Sequence, residues 1–311
     1  MHVLGIDAGG TKTVCLLADD AGRIVGEGRG PGANFHAAGD LVLERVLGQV
    51  IDQAMGDRRI APAAVCIGIA GVDREPEACR VRHIMRRIGC RSPVVVVNDA
   101  LIALVAGAGD APGIVVIAGT GSIAYGRNAN RVAARSGGWG HIIGDEGSGY
   151  WIGREALSAV VRAVDGRGPA TRLVDDVLEH FAIADASGLP RIVYDRDLPR
   201  LSVAALGPIV QRASALGDPV ARLILERAAD ELTLAAGSVA AKLEMRGDAF
   251  VFVLAGGAFR VVVSLGDAVA QRLAVFAPRS TVRHLDREPA TGAVQLALAE
   301  VHGGARVPKY K

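Results

Sequence analysis

The chain has 311 residues, half of them hydrophobic and 22% charged, which is typical of a folded protein and favours two domains over one. Its formal net charge of +2 gives no reason to expect nucleic acid or an anionic membrane surface as a partner. Because no secretory leader, membrane-spanning run or paired cysteine motif is visible, we expect a cytoplasmic protein whose cysteines are buried thiols.

The first third of the chain has the pattern of an α/β domain. Short apolar segments predict strands at residues 2–7, 13–19, 23–29, 63–70 and 93–97. Helical patterns fall between them, over 39–56 and 75–88. Because the last two strands are continuous apolar runs, as in a buried and mostly parallel sheet, this order of elements predicts a mixed sheet flanked by helices.

The same order of elements begins again further along the chain. Short apolar segments predict further strands at residues 113–118, 122–127, 131–135, 250–255 and 281–284. Helical patterns dominate from 146 to 245, a final helix is predicted over 290–301, and residues 182–197 show no regular pattern. The recurrence predicts a second domain of the same α/β kind.

Two glycine-rich loops, each between apolar runs, form the first candidate site. Their residues are Gly9, Gly10, Thr11 and Lys12 in the first loop and Gly119, Thr120, Gly121 and Ser122 in the second. Glycine lets backbone N–H groups approach a ligand closely and point at it, so each loop can hold phosphate oxygens. Two such loops favour a cleft that binds a nucleotide from both sides.

Asp7 ends the first predicted strand, just before the first loop. A carboxylate at this point can hold Mg²⁺ through water beside the phosphates. For the first loop alone, a plain hairpin turn that Asp7 caps is the alternative. A dinucleotide-binding fold is disfavoured, because its G-x-G-x-x-G turn opens a helix whereas residues 12–19 continue as a strand.

Asp99 lies where the predicted strand 93–97 gives way to a helical run. An aspartate at such a junction is commonly the N-cap of the helix. A carboxylate at the carboxyl end of a sheet strand also lies where ligands bind, and there it can accept the proton of an attacking hydroxyl. Both interpretations of Asp99 remain open at this point.

The segment from Gly137 to Trp151 is rich in glycine and contains both tryptophans of the chain, which predicts a tightly folded loop. An aromatic face at Trp139 beside the carboxylates Asp145 and Glu146 suits a ring that carries many hydroxyls. Alternatively, both tryptophans are core residues and the two acids begin the next helix, where they suit its dipole. We favour the site for Asp145 and the core for Trp151.

Gly256 and Gly257 follow the predicted strand 250–255. Small residues at this point let the backbone lie against a nucleobase or ribose, while a plain turn between strand and helix is the alternative. His141 has no histidine or cysteine partner at a ligand spacing, which disfavours a metal role for it.

Taken in this order, the motifs resemble the N-acetylglucosamine kinase branch of the BadF/BadG/BcrA/BcrD-type ATPases, within the actin-like ATPase and sugar kinase superfamily. The matching residues are Asp7-x-Gly9-Gly10-Thr11, Asn98-Asp99, Gly119-Thr120-Gly121-Ser122, Gly138-Trp139-Gly140-His141-x-x-Gly144-Asp145-Glu146-Gly147-Ser148 and Ala255-Gly256-Gly257. The resemblance runs through nearly the whole chain, and the segment from Gly138 to Ser148 is its most specific part.

The resemblance implies two ribonuclease-H-like α/β domains, each with a mixed sheet flanked by helices, that close over ATP and a hexosamine in the cleft between them. The domains would be residues 1–111 and 112–289, with the helix 290–305 packing back on the first. Mg²⁺ would accompany ATP as a cofactor. A homodimer is one assembly that the resemblance suggests.

By the same resemblance, Asp7 would organise Mg²⁺ and the two glycine loops would hold the phosphates, with Gly256 and Gly257 beside the adenosine. Asp99 would deprotonate the sugar 6-hydroxyl for attack on the γ-phosphate. The implied sugar contacts are Asn34, Asp99, Gly138, Trp139 and Asp145.

The expected activity is therefore that of an ATP-dependent hexosamine kinase with N-acetylglucosamine as the first candidate substrate. Glucosamine and N-acetylmuramic acid are alternative substrates. An ATPase that activates or regulates a partner protein is an alternative from another class. Activators with this fold hold an iron–sulfur cluster through a cysteine near the second glycine loop, and no cysteine of this chain falls there.

Overall fold

The computed structural model of the chain describes residues 1–33, 35–72, 74–195 and 199–310. The strands are β1 (His2–Ala8), β2 (Lys12–Asp19), β3 (Ile24–Pro31), β4 (Val65–Ile69), β5 (Val94–Asn98), β6 (Gly113–Ala118), β7 (Ser122–Arg127), β8 (Val132–Gly137), β9 (Val251–Ala255), β10 (Thr281–His284) and β11 (Lys309–Tyr310). None of the helices in the described residues combines the length and apolar character that a membrane crossing requires.

The helices follow the same chain order. They are α1 (Phe35–Met55), α2 (Glu75–Arg87), α3 (Asp99–Ala108), α4 (Gly149–Val164), α5 (Leu173–His180), α6 (Leu189–Val193), α7 (Arg200–Ala204), α8 (Gly207–Ala215), α9 (Pro219–Lys242), α10 (Gly257–Val261), α11 (Val263–Phe276) and α12 (Ala290–Val301). A single 3₁₀ turn at Ala186–Gly188 precedes α6.

The first sheet has the strand order β3-β2-β1-β4-β5. Strand β2 runs antiparallel to both of its neighbours, β1 and β3, whereas β1, β4 and β5 run parallel to one another. Consecutive residues of β1, such as Val3 and Leu4, are both buried. Because successive side chains of a strand point to opposite faces, both faces of this sheet are covered at β1.

The second sheet has the strand order β10-β9-β6-β7-β8-β11. Its last strand, β11, is only two residues long and pairs in parallel with the start of β8. So short a strand produces no hydrophobic periodicity, which is why the sequence pattern did not predict it.

The chain divides into two compact units. Unit 1 comprises residues 1–115, 125–134 and 283–311, and unit 2 comprises residues 116–124 and 135–282. The first sheet lies in unit 1.

Most predicted elements are confirmed with boundaries shifted by one or two residues. The helix predicted over 39–56 is longer, since α1 begins at Phe35, although Gly39 inside it has a non-helical φ of 70°. Residues 182–197 were expected to be irregular, and this is wrong in part, because the 3₁₀ turn and α6 lie there. Both are too short for a helical period to be visible in the sequence.

Helix α12 packs on β1 and on α3 within unit 1. A Cβ atom added to Gly5 of β1 would lie 2.7 Å from the carbonyl oxygen of Ala290 in α12. A Cβ atom added to Gly292 of α12 would lie 2.7 Å from the amide nitrogen of Ala106 in α3, and still closer to the carbonyl of Ile102. The glycines therefore let the backbone of α12 approach two other elements more closely than any side chain would allow.

Arg127 fixes the C-terminal end of α3. Its guanidinium is buried and donates to the carbonyl oxygens of Gly109 and Ala111, at 3.0 and 3.1 Å. Burial lowers the pKa of Arg127, and the nearby carboxylate of Asp110 opposes that shift. A buried guanidinium that satisfies helix-terminal carbonyls holds the segment after α3 in one conformation.

Gly292 in α12 and Gly48 in α1 differ in the space around them, so replacing each with alanine should change the stability in opposite directions. Gly292→Ala should lower the free energy of unfolding by about 3 kcal/mol or more, because α12 would have to move away from α3. Gly48→Ala is the matched control, since no atom lies within 4 Å of a Cβ atom at that position of α1. It should raise the stability by about 0.5–1 kcal/mol. Urea unfolding of both variants measures the difference, and equal effects would contradict the packing argument.

Candidate active site

The first glycine loop is the tip of the hairpin between β1 and β2. The amide of Gly9 donates to the carbonyl of Lys12, and the amide of Ala33 donates to the carbonyl of Gly9, both at 3.0 Å. A Cβ atom on Gly10 would meet no other atom within 4 Å. The loop is thus held by its own backbone and by the chain after β3, and it is open at Gly10.

Asp7 lies at the base of this loop, and only β4 separates its strand from β5, which leads to Asp99. Asp7 of β1 pairs with Gly68 of β4, which in turn pairs with Val97 of β5. Because β1, β4 and β5 are parallel, their carboxyl ends lie at the same edge of the sheet. The sheet therefore places Asp7 and Asp99 at one edge, as ligand-binding carboxylates of such sheets are placed.

Asp7 is buried and electrostatically unfavourable as an anion. Loss of hydration raises its pKa from the ordinary value of 3.8 to about 7, and the negative charges of Asp99 and Glu288 act in the same direction. The ammonium of Lys12 opposes them. A cation beside Asp7 would relieve this repulsion.

Lys12 forms an ion pair with a residue from the far end of the chain. Its ammonium donates to both carboxylate oxygens of Glu288, at 2.9 and 2.6 Å, and Arg29 donates to the same carboxylate at 3.2 Å. Partial burial acts to raise the pKa of Glu288, but the two cations hold it below its usual value. Glu288 therefore stays ionised beside the first glycine loop.

Asp99 is the first residue of α3, and its neighbour caps the helix. The side chain of Asn98 accepts a hydrogen bond of 2.8 Å from the amide of Ala100. The interpretation of Asp99 as the N-cap is therefore wrong, since Asn98 performs that role. Asp99 instead begins the first turn of α3, at the carboxyl end of β5.

The second glycine loop is bonded to the loop that precedes α4. The amide of Ser122 donates to the carboxylate of Asp145 at 3.2 Å, and the hydroxyl of Ser122 donates to the carbonyl of Glu146 at 2.7 Å. A Cβ atom on Gly121 would lie 2.8 Å from a carboxylate oxygen of Asp145. The second glycine loop and Asp145 thus form one continuous feature of unit 2.

Asp145 is a buried residue in an unusual backbone conformation. Its φ is 62°, a value that few residues other than glycine adopt. Burial raises the pKa of Asp145, while the Ser122 amide and the positive charge of Arg200 oppose the rise. A strained, buried carboxylate with a raised pKa is typical of a functional site rather than of a helix start.

Helix α4 begins at Gly149 and is capped by Ser148, whose hydroxyl accepts a hydrogen bond from the amide of Trp151. Asp145 therefore does not begin this helix. The loop predicted from Gly137 to Trp151 is confirmed for residues 138–148, whereas its ends belong to β8 and α4. Trp151 is buried, as predicted, whereas Trp139 is 64% exposed. The guanidinium of Arg135 lies 5.0 Å from the centre of the Trp139 ring.

Gly256 has a structural reason to be glycine. Its φ is 107°, and a Cβ atom there would lie 3.0 Å from the amide nitrogen of Ala118 at the end of β6. Close packing of the strand end explains this position, in agreement with a plain turn. Gly257 begins α10, and a Cβ atom on it would meet nothing within 4 Å, so only Gly257 has room for a ligand beside it.

The candidate residues fall into two groups. Unit 1 contains Asp7, the first glycine loop and Asp99, and unit 2 contains the second glycine loop and the segment from Gly138 to Asp145, with Gly256 and Gly257. Asn34 lies outside the residues that the structure describes.

Sequence reasoning missed Glu288, Arg29 and Arg135. Glu288 is 276 positions away from its partner Lys12, so no local motif could connect them. An isolated charged residue before a helix gives no signal of an ion pair across the chain.

The residues around Asp7 fit a magnesium ion that binds one protein carboxylate and is otherwise held by phosphate oxygens and water. No group of three or more histidine, cysteine, aspartate or glutamate residues in the described parts of the chain is arranged to hold a metal. Mg²⁺ usually binds one or two protein carboxylates together with phosphate oxygens and water. A buried carboxylate whose ionisation is opposed by Asp99 and Glu288 suits this mode of binding.

A model of the BadF/BadG/BcrA/BcrD ATPase family matches residues 4–297. The chain belongs to this family. The family resemblance predicted from the glycine loops and the Gly138–Ser148 segment is therefore confirmed.

Two relatives are similar to this chain over almost its whole length. An N-acetylmuramic acid/N-acetylglucosamine kinase of Clostridium acetobutylicum is 36% identical over 303 residues, which cover 96% of this chain and 99% of the relative. An N-acetyl-D-glucosamine kinase of Dictyostelium discoideum is 31% identical over 309 residues, which cover 95% of this chain and 97% of the relative.

The fold is also similar to a solved structure. A crystal structure of a Chromobacterium violaceum protein, provisionally assigned as an N-acetylglucosamine kinase, has a TM-score of 0.76 and 25% identity, and the match covers 96% of this chain and 98% of that one. Together with the two sheets, this likeness confirms the predicted fold class, an α/β fold of the ribonuclease-H-like, actin-like ATPase type.

The raised pKa of Asp7 predicts a pH-dependent cost in stability. Between pH 3.8 and about 7, the folded protein binds a proton at Asp7 that the unfolded chain does not, so the free energy of unfolding falls as the pH rises through this range. Asp7→Asn removes that loss. At pH 8 the variant should be more stable than the wild type by a few kcal/mol, on the order of 2–4. The difference should vanish near pH 4.

Denaturant unfolding across this pH range tests the prediction. Asp19→Asn is a control of opposite sign, since hydrogen bonds from Arg23 lower the pKa of Asp19, and this variant should lose stability at neutral pH. Parallel stability curves for the wild type and Asp7→Asn would contradict the electrostatic account of Asp7.

Proposed function

We propose that this protein is an ATP-dependent kinase that transfers the γ-phosphoryl group to the 6-hydroxyl of an amino sugar, with N-acetylglucosamine as the first candidate. The observation that carries the proposal is the hydrogen bond between Ser122 and Asp145. It joins a loop suited to phosphates to a loop whose exposed tryptophan and buried carboxylate suit a polyhydroxylated ring. Membership of the ATPase family and the names of the two relatives support the same activity.

In this proposal, unit 1 contributes the groups that act on the phosphates. The backbone of residues 9–12 faces the phosphate oxygens, Lys12 supplies a positive charge, and Asp7 holds Mg²⁺, which would neutralise charge on the transferring phosphoryl group. The raised pKa of Asp7 supports its role, since a bound cation compensates the charge that the folded chain disfavours.

Asp99 is the proposed general base. The oxygen of the sugar 6-hydroxyl bonds to the γ-phosphorus, the bond from that phosphorus to the bridging oxygen of ADP breaks, and the hydroxyl proton passes to the Asp99 carboxylate. The place of Asp99 at the carboxyl end of β5 supports this role, as does the fact that Asn98 serves as the helix cap.

Unit 2 supplies the proposed sugar contacts. The ring of Trp139 is largely exposed and can lie against the apolar face of a sugar, while Asp145 can accept hydrogen bonds from sugar hydroxyls. The guanidinium of Arg135 beside Trp139 favours N-acetylmuramic acid as a second candidate substrate, since its lactyl carboxylate would be attracted to a cation. The name of the Clostridium relative includes both sugars.

A substrate panel tests the proposed activity. Purified protein with Mg²⁺ and ATP should release ADP only when an acceptor sugar is present, and N-acetylglucosamine should support turnover. Glucosamine and N-acetylmuramic acid complete the panel, and ³¹P NMR of the product identifies a 6-phosphate. Absence of sugar-dependent ADP release would end the kinase proposal, whereas steady hydrolysis without sugar would favour an ATPase that regulates a partner.

Replacing the proposed base should separate binding from turnover. Asp99→Asn should lower kcat about 10²–10⁴-fold, because it removes the proton acceptor. Melting shifts with the nucleotide and with the sugar should persist in the variant. The control is Asp110→Asn, just beyond the far end of α3, where the carboxylate pairs with Arg131; its kcat should stay near that of the wild type. Turnover of Asp99→Asn near the wild-type rate would remove Asp99 from the role of base.

A further inference from the structure

We infer that Glu288 is a positioning residue for the phosphoryl donor: it holds the ammonium of Lys12 beside the first glycine loop, where the nucleotide phosphates would bind. The inference rests on the proposed function, because it concerns the same nucleotide site. It assigns a role to a residue that lies outside the motifs on which the family resemblance was based.

The ion pair joins Glu288 directly to the first glycine loop. Both carboxylate oxygens of Glu288 accept hydrogen bonds from Lys12, and Arg29 donates to one of them. Lys12 is one of the four residues of the first glycine loop. Its side chain is 44% exposed and that of Glu288 is 27% exposed, so the pair lies at the surface of unit 1 rather than in its core.

The backbone of Glu288 is held in place by hydrogen bonds and by the helix that follows it. Its carbonyl oxygen accepts hydrogen bonds from the amide of Thr291, at 2.9 Å, and from the Thr291 hydroxyl, at 2.8 Å. Helix α12, which starts two residues after Glu288, is fixed against β1 and α3 through the close contacts of Gly5 and Gly292. The carboxylate therefore belongs to a well-anchored segment, whereas lysine has a long and flexible stem.

The ammonium of Lys12 can bind Glu288 and a phosphate oxygen at the same time. A lysine ammonium has three N–H donors, and the Glu288 carboxylate engages two of them. One donor remains for a phosphate oxygen while the other two keep the group in place. Glu288 can thus orient Lys12 without removing it from the nucleotide.

Nucleotide affinity tests this inference. The dissociation constant of a non-hydrolysable ATP analogue with Mg²⁺ is measured by calorimetry for the wild type, Glu288→Gln and Glu288→Ala. We expect binding about tenfold weaker in Glu288→Ala, because Lys12 must then be ordered by the nucleotide itself. The affinity of Glu288→Gln should lie between those of the wild type and Glu288→Ala, since the amide oxygen of the glutamine can still accept one hydrogen bond from Lys12. Equal binding in both variants would show that Glu288 does not influence the nucleotide site, and tighter binding would show that it repels phosphate; either result would overturn the inference.

Two further variants show whether Glu288 acts through Lys12. In a Lys12→Met background, Glu288→Ala should cause no further loss of affinity, because the partner that it positions is gone. A full tenfold loss in that background would overturn the inference. Glu27→Gln is the matched control: Glu27 also pairs with Arg29 but has no bond to Lys12, and its nucleotide affinity should equal that of the wild type.

The binding measurement also separates this inference from the proposed function. A wild-type protein that binds the nucleotide but phosphorylates no sugar would contradict the kinase proposal alone, and the graded affinities would still decide the role of Glu288. A wild-type protein that binds no nucleotide would overturn both. If sugar-dependent turnover is found, Glu288→Ala should raise KM for ATP while KM for the sugar stays unchanged, which a general loss of folding would not produce.

Discussion

The close approach of helix α12 to β1 and α3 is the constraint on which the arrangement of unit 1 depends. Gly5 and Gly292 remove the side chains that would otherwise hold these backbones apart. Asp7 lies one residue before the end of β1, where the first glycine loop follows. Helix α3 begins with Asp99, and Glu288 lies just before α12. Two close contacts of one helix therefore fix the relative positions of three acidic groups that lie far apart in the sequence.

That arrangement disfavours the ionised form of Asp7. Asp7 is buried beside two other carboxylates, and its raised pKa shows that the folded chain resists its ionisation. The ion pair of Lys12 with Glu288 and Arg29 compensates only part of the negative charge. This imbalance favours a divalent cation beside Asp7, and in the proposed function that cation is the Mg²⁺ that accompanies ATP. The raised pKa of Asp7 is thus consistent with the metal-binding role proposed for it.

The sequence predicted the features whose signal is local. Apolar periodicity located most strands and helices, and the glycine loops were recognised because their residues are adjacent in the chain. Local patterns could not decide between neighbours that suit the same role. Asn98 and Asp99 are both good N-caps, and only the backbone shows that Asn98 occupies that position. The pairing of Lys12 with Glu288 could not be predicted, since it depends on how α12 packs rather than on any motif.

Asp145 connects the two tasks assigned to unit 2. Its carboxylate accepts the amide hydrogen of Ser122 and fills the space where a side chain on Gly121 would lie. A displacement of Asp145 by a sugar hydroxyl would therefore change the backbone of the second glycine loop directly. Because Asp145 is also held at a positive φ, it has little freedom to move alone. In the proposed function, the sugar contacts and the phosphate contacts of unit 2 would therefore be coupled through one buried carboxylate.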